Sequence, residues 1–459
     1  MLQNRGLSLL GGWFPVVVEV VTVVVVAIAI ARRNRRWWIV WLPICVAVGG
    51  ATFAATAVYV HSEGLSSDPA PKPLWAWVWV FGSVVAALIL GFRSARWWRR
   101  GLMILAVPLA AMCVLLVLNQ WVGYFPTVQA AWGAVTSGPL PDEVDASDLP
   151  ALRNTAMTTG KIVAIDTGDA GSDFRHRTEY VYLPPSWFVG ATPPTLPAVL
   201  MIAGEFNTPA DWIRSGNIVP EIDAYAKSHG GQTPEFVFVD AGGTFNNDTE
   251  CVDGPRGNAH SHLVNDVRPY VVNTFGVSPK ASAWGVVGWS MGGTCALDLT
   301  VMRPDLFSSF EDIAGDAGPT AGTKDQTVSR LFGGSESDWE HYDPATVMRT
   351  HGTYQGVSAW FADTGNTPPR GARGFHRPPG QWKPPAGFGR PAPPGATGLG
   401  GVDGVRDTGE VGAAEKLCTQ AKSVSINCQV HTESSRHSWQ FAEAAFTEAL
   451  PWMAGVLHV

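Results

Sequence analysis

The sequence predicts an α/β domain with a mostly parallel central sheet, preceded by an all-α bundle of four transmembrane helices. Long apolar segments occupy the first 122 of the 459 residues, and short β-rich runs alternate with helical patterns in the remainder. Such alternation is typical of a parallel sheet with helices on both faces. We therefore divide the chain into a membrane anchor (1–122), a tether rich in proline and small polar residues (123–157) and an α/β domain (158–459).

Four segments approach the ~20 apolar residues that a helix needs to cross a bilayer core. They are residues 12–31, 37–60, 74–92 and 102–122. One arginine cluster, residues 32–36, lies between the first two segments, and another, residues 93–100, lies between the last two. Basic loops stay in the cytoplasm. The sequence thus predicts a multi-pass protein of the cell membrane, with the bilayer as its partner and with its N-terminus and α/β domain extracytoplasmic.

The anchor and the rest of the chain differ in charge. Of the 32 basic and 39 acidic residues, ten basic and three acidic ones lie in residues 1–122, which leaves 22 basic and 36 acidic residues in the rest. Binding to nucleic acid requires a basic surface that neutralises phosphates. The acidic outer part therefore argues against a nucleic acid partner.

The α/β domain shows eight β-rich runs and five helical stretches. The β-rich runs are 161–167, 178–183, 197–202, 236–240, 283–289, 307–313, 357–362 and 424–430, and the helical stretches are 209–228, 261–275, 291–303, 410–422 and 438–453. The first runs follow one another without a helix, which indicates an antiparallel edge. Residues 365–404 are dense in Pro and Gly, and we expect a disordered, solvated insertion without a catalytic role there.

The cysteines fit an oxidising compartment. Cys45 and Cys113 lie in apolar segments, where a thiol acts as a small apolar group. The outer part has an even number of cysteines, which suggests two disulfides. Cys418–Cys428 would connect a helix end to the next strand, and Cys251–Cys295 is the remaining pair.

A catalytic motif occurs where a β-rich run passes directly into a helix. Gly288-Trp289-Ser290-Met291-Gly292 has the G-x-S-x-G pattern of the nucleophile elbow of α/β-hydrolases. Glycines leave room for the strained turn that raises the serine hydroxyl above the sheet. The amide of Met291 can then bind an oxyanion, and the turn after the third strand offers the amide of Glu205 as a second donor.

A serine nucleophile needs a base and an acid, which follow it in the order Ser, acid, His in this fold. His437 is the predicted base, since it lies in a polar loop between the last β-rich run and the final helix. Asp407 is the first candidate for the acid, with Glu410 and Asp363 as alternatives. His260 and His262 have no third ligand at a suitable spacing, so the sequence predicts neither a metal site nor a cofactor.

These residues together resemble the esterase D-like branch of the α/β-hydrolases, which includes the mycolyltransferases of mycobacteria and corynebacteria. The resemblance covers residues 160–455 and rests on Ala203-Gly204-Glu205, Gly288 to Gly293, Trp360-Phe361 and His437-Ser438-Trp439. It implies that Ser290 is the nucleophile, His437 the base, and the Glu205 and Met291 amides the oxyanion hole. The mycolyltransferases favour Glu410 as the acid, and other esterases of the branch favour Asp407. The four-span anchor looks like that of membrane-tethered esterases of actinobacteria.

The leading hypothesis is a membrane-anchored extracytoplasmic serine esterase that acts on acyl esters through an acyl-enzyme. An acyltransferase that moves an acyl group to a sugar or glycolipid of the cell envelope would share the first half of the reaction. A non-catalytic envelope binding protein on a hydrolase fold is an alternative from another class.

Overall fold

The N-terminal part of the chain consists of long apolar helices. The structure is a computed structural model that describes residues 7–31, 34–62, 70–136, 138–364, 409–433, 435 and 437–459. The first four α-helices are α1 (Trp13–Ile30), α2 (Leu42–Ser62, preceded by a π-helical turn, Trp37–Trp41), α3 (Lys72–Gly91) and α4 (Trp97–Val122). Each is long and apolar enough to cross a membrane, which agrees with the predicted segments.

These helices form a bundle in which α1 packs on α4, and α3 packs on both α2 and α4. Small residues allow the close approach of α2 and α3, since a Cβ added at Gly82 would lie 2.7 Å from the Thr52 Cβ. At one end of the bundle, the Val128 amide donates to the Leu7 carbonyl and the Leu9 amide donates to the Pro126 carbonyl, both at 3.0 Å. The segments before α1 and after α4 therefore lie at the same end.

The second part of the chain is built on a sheet of nine strands. The strands are β1 (Glu143–Val144), β2 (Lys161–Ile165), β3 (Glu179–Leu183), β4 (Ala198–Ile202), β5 (Glu235–Val239), β8 (Trp284–Trp289), β9 (Ser309–Ile313), β10 (Ser358–Thr364) and β11 (Asn427–Glu433), while β6 (Asp253–Gly254) and β7 (Gly257–Asn258) form a separate ribbon. Their order in the sheet is β1-β2-β3-β5-β4-β8-β9-β10-β11. All neighbours from β5 to β11 are parallel, and β3 is antiparallel to both β2 and β5. The predicted fold class and its antiparallel edge are confirmed.

Helices cover both faces of the sheet. The remaining α-helices are α5 (Val128–Val135), α6 (Asp211–Arg214), α7 (Val219–Ser228), α8 (Ala259–Ser261), α9 (Arg268–Phe275), α10 (Met291–Met302), α11 (Lys324–Phe332), α12 (Glu336–Tyr342), α13 (Pro344–His351), α14 (Gly409–Ser423) and α15 (Trp439–Val456); a π-helical segment, His262–Val267, joins α8 to α9, and Ala146–Leu152, Pro185–Phe188 and Ala281–Ala283 are 3₁₀-helical. Side chains of α9, α10 and α14 build one core, and those of α7 and α15 build the other. The apolar strands are buried between the two.

The helices differ from the sequence prediction in two places. The stretch 209–228 is not one helix, because the chain turns at Asn217, whose φ is +49°, before α7 begins. Helices α11, α12 and α13 were not predicted. They are seven to nine residues long, and side-chain caps from Thr323, Ser335 and Asp343 start them. Helices this short depend on caps and packing more than on an apolar stripe.

Both predicted disulfides are present in the structure. Cys251 is bonded to Cys295 and Cys418 to Cys428. The first joins the loop after β5 to α10, and the second joins α14 to β11. The Pro/Gly-rich insertion 365–404 lies outside the described residues.

Candidate active site

Ser290 occupies a strained turn between β8 and α10. Its φ of 59° and ψ of −125° are rare for a residue with a side chain. An added Cβ at Gly288 would overlap the Gly292 carbonyl, and one at Gly292 would overlap the Ile202 carbonyl of β4. The two glycines are thus required because the backbones of β4, β8 and α10 meet here. This geometry is that of the predicted nucleophile elbow.

The turn after β4 lies directly against the nucleophile. The Asn207 amide donates to the Gly204 carbonyl at 3.2 Å, and Phe206 has a φ of +66°. A Cβ added at Gly204 would be only 3.1 Å from the Ser290 Cβ. Glu205 of this turn and Met291 line the same narrow cleft. The two residues predicted for the oxyanion hole are therefore neighbours beside Ser290, and we call residues 204–207 the oxyanion turn.

An ion pair that the sequence analysis missed supports this turn. Arg177 donates through Nε and Nη2 to the carboxylate of Asp240, at 3.0 and 2.6 Å. The same Nη2 donates to the Asn207 carbonyl at 2.9 Å. Burial alone would raise the pKa of Asp240, but the hydrogen bonds and charge of Arg177 hold it below its usual value. A polar residue directly after β5 was the only sequence signal, and it did not reveal its partner.

We expect Arg177→Met to lower both the Tm and the kcat of the full chain in detergent. Asp240 is 1% exposed, and removing one partner of a buried ion pair costs about 3–5 kcal/mol. The oxyanion turn would also lose the bond to its Asn207 carbonyl, and we expect kcat to fall about tenfold or more. Thermal unfolding and hydrolysis of a soluble ester measure the two effects.

Arg175→Met is the matched control. Arg175 is exposed and lies two residues earlier, before β3. The control should retain the wild-type Tm and kcat. Loss of stability in both variants, or in neither, would contradict a specific role for Arg177.

The predicted base lies at the same edge of the sheet as the nucleophile. The His437 ring is centred 5.2 Å from the ring of Trp289, the residue before Ser290. Trp439 packs against the other part of this wall, 4.5 Å from Trp289. His431, in contrast, stacks on Trp360 at 3.7 Å within β11 and contacts Glu448. The structure thus places His437, and not His431, beside the elbow.

The three candidate acids have different positions. Asp363 is the penultimate residue of β10, is buried, and pairs in register with Thr432 of β11. Glu410 is the second residue of α14. Asp407 lies outside the described residues.

Buried carboxyl groups lie on the side of the oxyanion turn formed by the loop after β5. Burial raises the pKa of Glu250 well above its usual range, and the carboxylates of Asp248 and Glu205 contribute to this. Burial also raises the pKa of Asp248 to about 6, although Arg256 opposes the shift. Glu250 precedes Cys251, whose disulfide ties this loop to the helix that begins after Ser290. The surroundings of the oxyanion turn are therefore acidic.

The histidines of the excluded metal pair have separate surroundings. His262 is fully buried, and its two ring nitrogens contact Glu179 at 3.2 Å and Asp266 at 3.3 Å. Burial alone would lower the pKa of His262, but these carboxylates raise it. His176 and Glu179 place possible ligand atoms within 4.8 Å of those of His262. Because the rings of His176 and His262 stack at 4.6 Å, their nitrogens do not converge as metal ligands do. We interpret this group as a buried ionic network.

The comparisons with known proteins agree with this site. Residues 174–373 match the family model described as "Putative esterase". This part of the chain is an esterase-like α/β-hydrolase. The match includes the oxyanion turn, Ser290 and Asp363, and it ends before His437.

One relative extends beyond the hydrolase domain. The chain is 27% identical over 362 residues to an uncharacterized protein of Corynebacterium glutamicum, with 75% of this chain and 82% of the relative covered. This coverage exceeds the length of residues 158–459, so the similarity includes residues before the hydrolase domain.

Among solved structures, the chain is similar to three whose names refer to esterases or to a mycobacterial protein. They are a ferulic acid esterase (14% identity, TM-score 0.46, covering 65% of this chain and 99% of that chain), an S-formylglutathione hydrolase from Agrobacterium tumefaciens (14%, 0.47, 66% and 97%) and MPT51 from Mycobacterium tuberculosis (16%, 0.38, 61% and 94%).

Proposed function

We propose that the chain is a membrane-anchored serine esterase that forms an acyl-enzyme on Ser290. The observation that carries this proposal is the strained backbone of Ser290 with the oxyanion turn packed against its Cβ. Strain of this kind costs about 1–3 kcal/mol and persists where the surrounding structure imposes it, most often at active sites. A binding protein on a retired hydrolase fold would have no use for this strained serine.

The proposed reaction has two balanced half-reactions. The Ser290 Oγ attacks the ester carbonyl while His437 takes the hydroxyl proton. The amides of Glu205 and Met291 bind the oxyanion, the ester C–O bond breaks, and His437 returns the proton to the leaving alcohol. Water then attacks the acyl-enzyme with His437 as the base, which releases the acid and restores Ser290.

One of Asp363, Glu410 and Asp407 would orient His437 and stabilise its charged form. Asp363 is a reasonable candidate because it lies at the carboxyl end of β10, next to the strand that leads to His437. Glu410 begins the helix that leads into β11. Substituting each of the three by its amide, one at a time, identifies the acid as the single site whose loss lowers turnover severely.

The anchor is proposed from helix length, composition and charge. The arginines between α3 and α4, and those before α2, lie at the end of the bundle opposite to the segment that leaves α4. The positive-inside rule puts that arginine-rich end in the cytoplasm. The hydrolase domain would then be extracytoplasmic, where the two disulfides are stable.

A second candidate function, acyl transfer, is favoured by a groove between the tether and the hydrolase domain. The groove has a volume of about 420 Å³ and shares Arg177 and Thr208 with the cleft at the oxyanion turn. Tyr124, Tyr180 and Arg214 also line it and offer hydrogen-bonding groups to a sugar hydroxyl. An alcohol bound there would compete with water for the acyl-enzyme.

Covalent labelling tests the proposal. The full chain in detergent is incubated with a fluorophosphonate probe, and peptide mass spectrometry locates the adduct. We expect a single adduct on the peptide that contains Ser290, and its formation should slow when an ester substrate is present. An adduct elsewhere, or none, would refute the serine hydrolase. Adding trehalose with the ester then separates the two activities, since a transferase yields the acylated sugar.

A further inference from the structure

Three loops of the active-site edge contact the same end of the helical bundle. The first is the loop that carries His437. Gln440 Nε2 donates to the carbonyl of Gly123, the residue that ends α4, at 2.9 Å. The contact is tight, since a Cβ added at Gly123 would lie 2.8 Å from the Ser438 Cβ. The segment directly after His437 therefore lies on the end of α4.

The second contact involves the oxyanion turn. Tyr124, the residue after Gly123, makes side-chain hydrogen bonds with Asn207 and Asp211. Asn207 closes the oxyanion turn. Two successive residues at the end of α4 thus reach two loops of the active site.

The third contact involves the loop after β5. Asn246 Nδ2 lies 3.5 Å from the hydroxyl of Tyr59, near the end of α2. Its neighbour Phe245 is 69% exposed, and the Phe245 ring is 5.5 Å from that of Phe206 in the oxyanion turn. Both α2 and α4 end at this side of the bundle, so the three contacts share one face.

We infer that the active site faces the membrane surface and takes its substrate from the bilayer. This inference rests on the proposed function and on the proposed anchor. If the four helices span the bilayer, the carboxyl edge of the sheet, with Ser290, lies over the outer leaflet. The exposed Phe245 and, in α5, Trp132, also 69% exposed, are aromatic groups of the kind that lie at a membrane interface.

The substrate class follows from this orientation. A long-chain ester in water would have to cross the contacts between the loops and the helix ends. An ester lipid in the outer leaflet reaches the cleft by lateral diffusion, with its apolar chains still in the bilayer. The enzyme would therefore act on ester lipids or glycolipids of the membrane, and it would cleave soluble esters only as minor substrates.

The orientation can be measured with one fluorophore at two ends of β8. The full chain in lipid vesicles is labelled at Ser290 with a fluorescent fluorophosphonate. For comparison, a Ser282→Cys variant is labelled with the same fluorophore through a maleimide. Ser282 is exposed and precedes β8, whereas Ser290 follows it. At about 3.3 Å per strand residue the two labels are roughly 20–25 Å apart.

Lipids that carry a quencher on the headgroup should quench the Ser290 label about threefold or more strongly than the Ser282 label, given that separation. Equal quenching, or stronger quenching at Ser282, would overturn the inference. A chain that does not label at Ser290 fails the proposed function instead, so the two failures are distinguishable.

A substrate experiment provides the second arm. The wild-type chain is reconstituted in vesicles that contain a fluorogenic two-chain ester lipid, and a short soluble ester is assayed in parallel. We expect the rate to rise with the mole fraction of ester lipid in the membrane. Turnover of the soluble ester with no turnover of the membrane ester would refute the lipid substrate and leave the esterase itself intact.

Discussion

Replacing Ser290 with alanine is expected to reduce kcat/KM for ester hydrolysis by about 10⁴-fold or more, since the acyl-enzyme can no longer form. The fold should remain, because alanine has a Cβ in the same place and the elbow is held by its glycines. Hydrolysis of a soluble ester by the full chain in detergent gives kcat/KM, and the Tm checks the fold.

Ser282→Ala is the matched control for this prediction. Ser282 lies at the opposite end of β8 and is exposed. The control should hydrolyse the ester at the wild-type rate. Activity that survives in the Ser290 variant would mean that another group attacks the ester.

Replacing His437 with glutamine should lower kcat by about 10⁴-fold, because Ser290 would lose its base. We expect little change in KM, since the imidazole acts mainly on the transition state. The rate of labelling by a fluorophosphonate should fall together with kcat, because both reactions need an activated hydroxyl. Steady-state kinetics and labelling time courses measure the two rates.

His431→Gln tests whether this effect belongs to the position. His431 precedes His437 by six residues, but it stacks on Trp360 and contacts Glu448. Its replacement should change kcat only slightly. A similar loss in both variants would point to damage in the packing of β11 instead of the loss of a base.

The sequence predicted local features well. All eight predicted strands of the hydrolase domain are present, because each is a short run of β-branched and aromatic residues between turn residues. The nucleophile elbow could be identified because its glycines and serine are adjacent in the chain. Helices α11 to α13 were missed because they are short and lack an extended apolar stripe.

The histidine was predicted with less direct information. His437 was chosen because a loop after the last strand can reach the serine, and the structure places its ring beside Trp289. The acid had no such signal. Candidates at 363, 407 and 410 are separated by the insertion 365–404, and sequence distance across a long insertion does not indicate distance in space.

The sequence alone determined the four apolar helices, the alternation of strands and helices, and the serine at the elbow. Each of these depends on residues within about 20 positions of one another, where hydrophobic periodicity and backbone sterics act. Only the tertiary structure decided that Arg177 and Asp240 support the oxyanion turn, and that the loops of the active site meet the ends of α2 and α4. Those contacts join residues 30 to 317 positions apart, so they depend on the packing of the whole chain and on no local pattern.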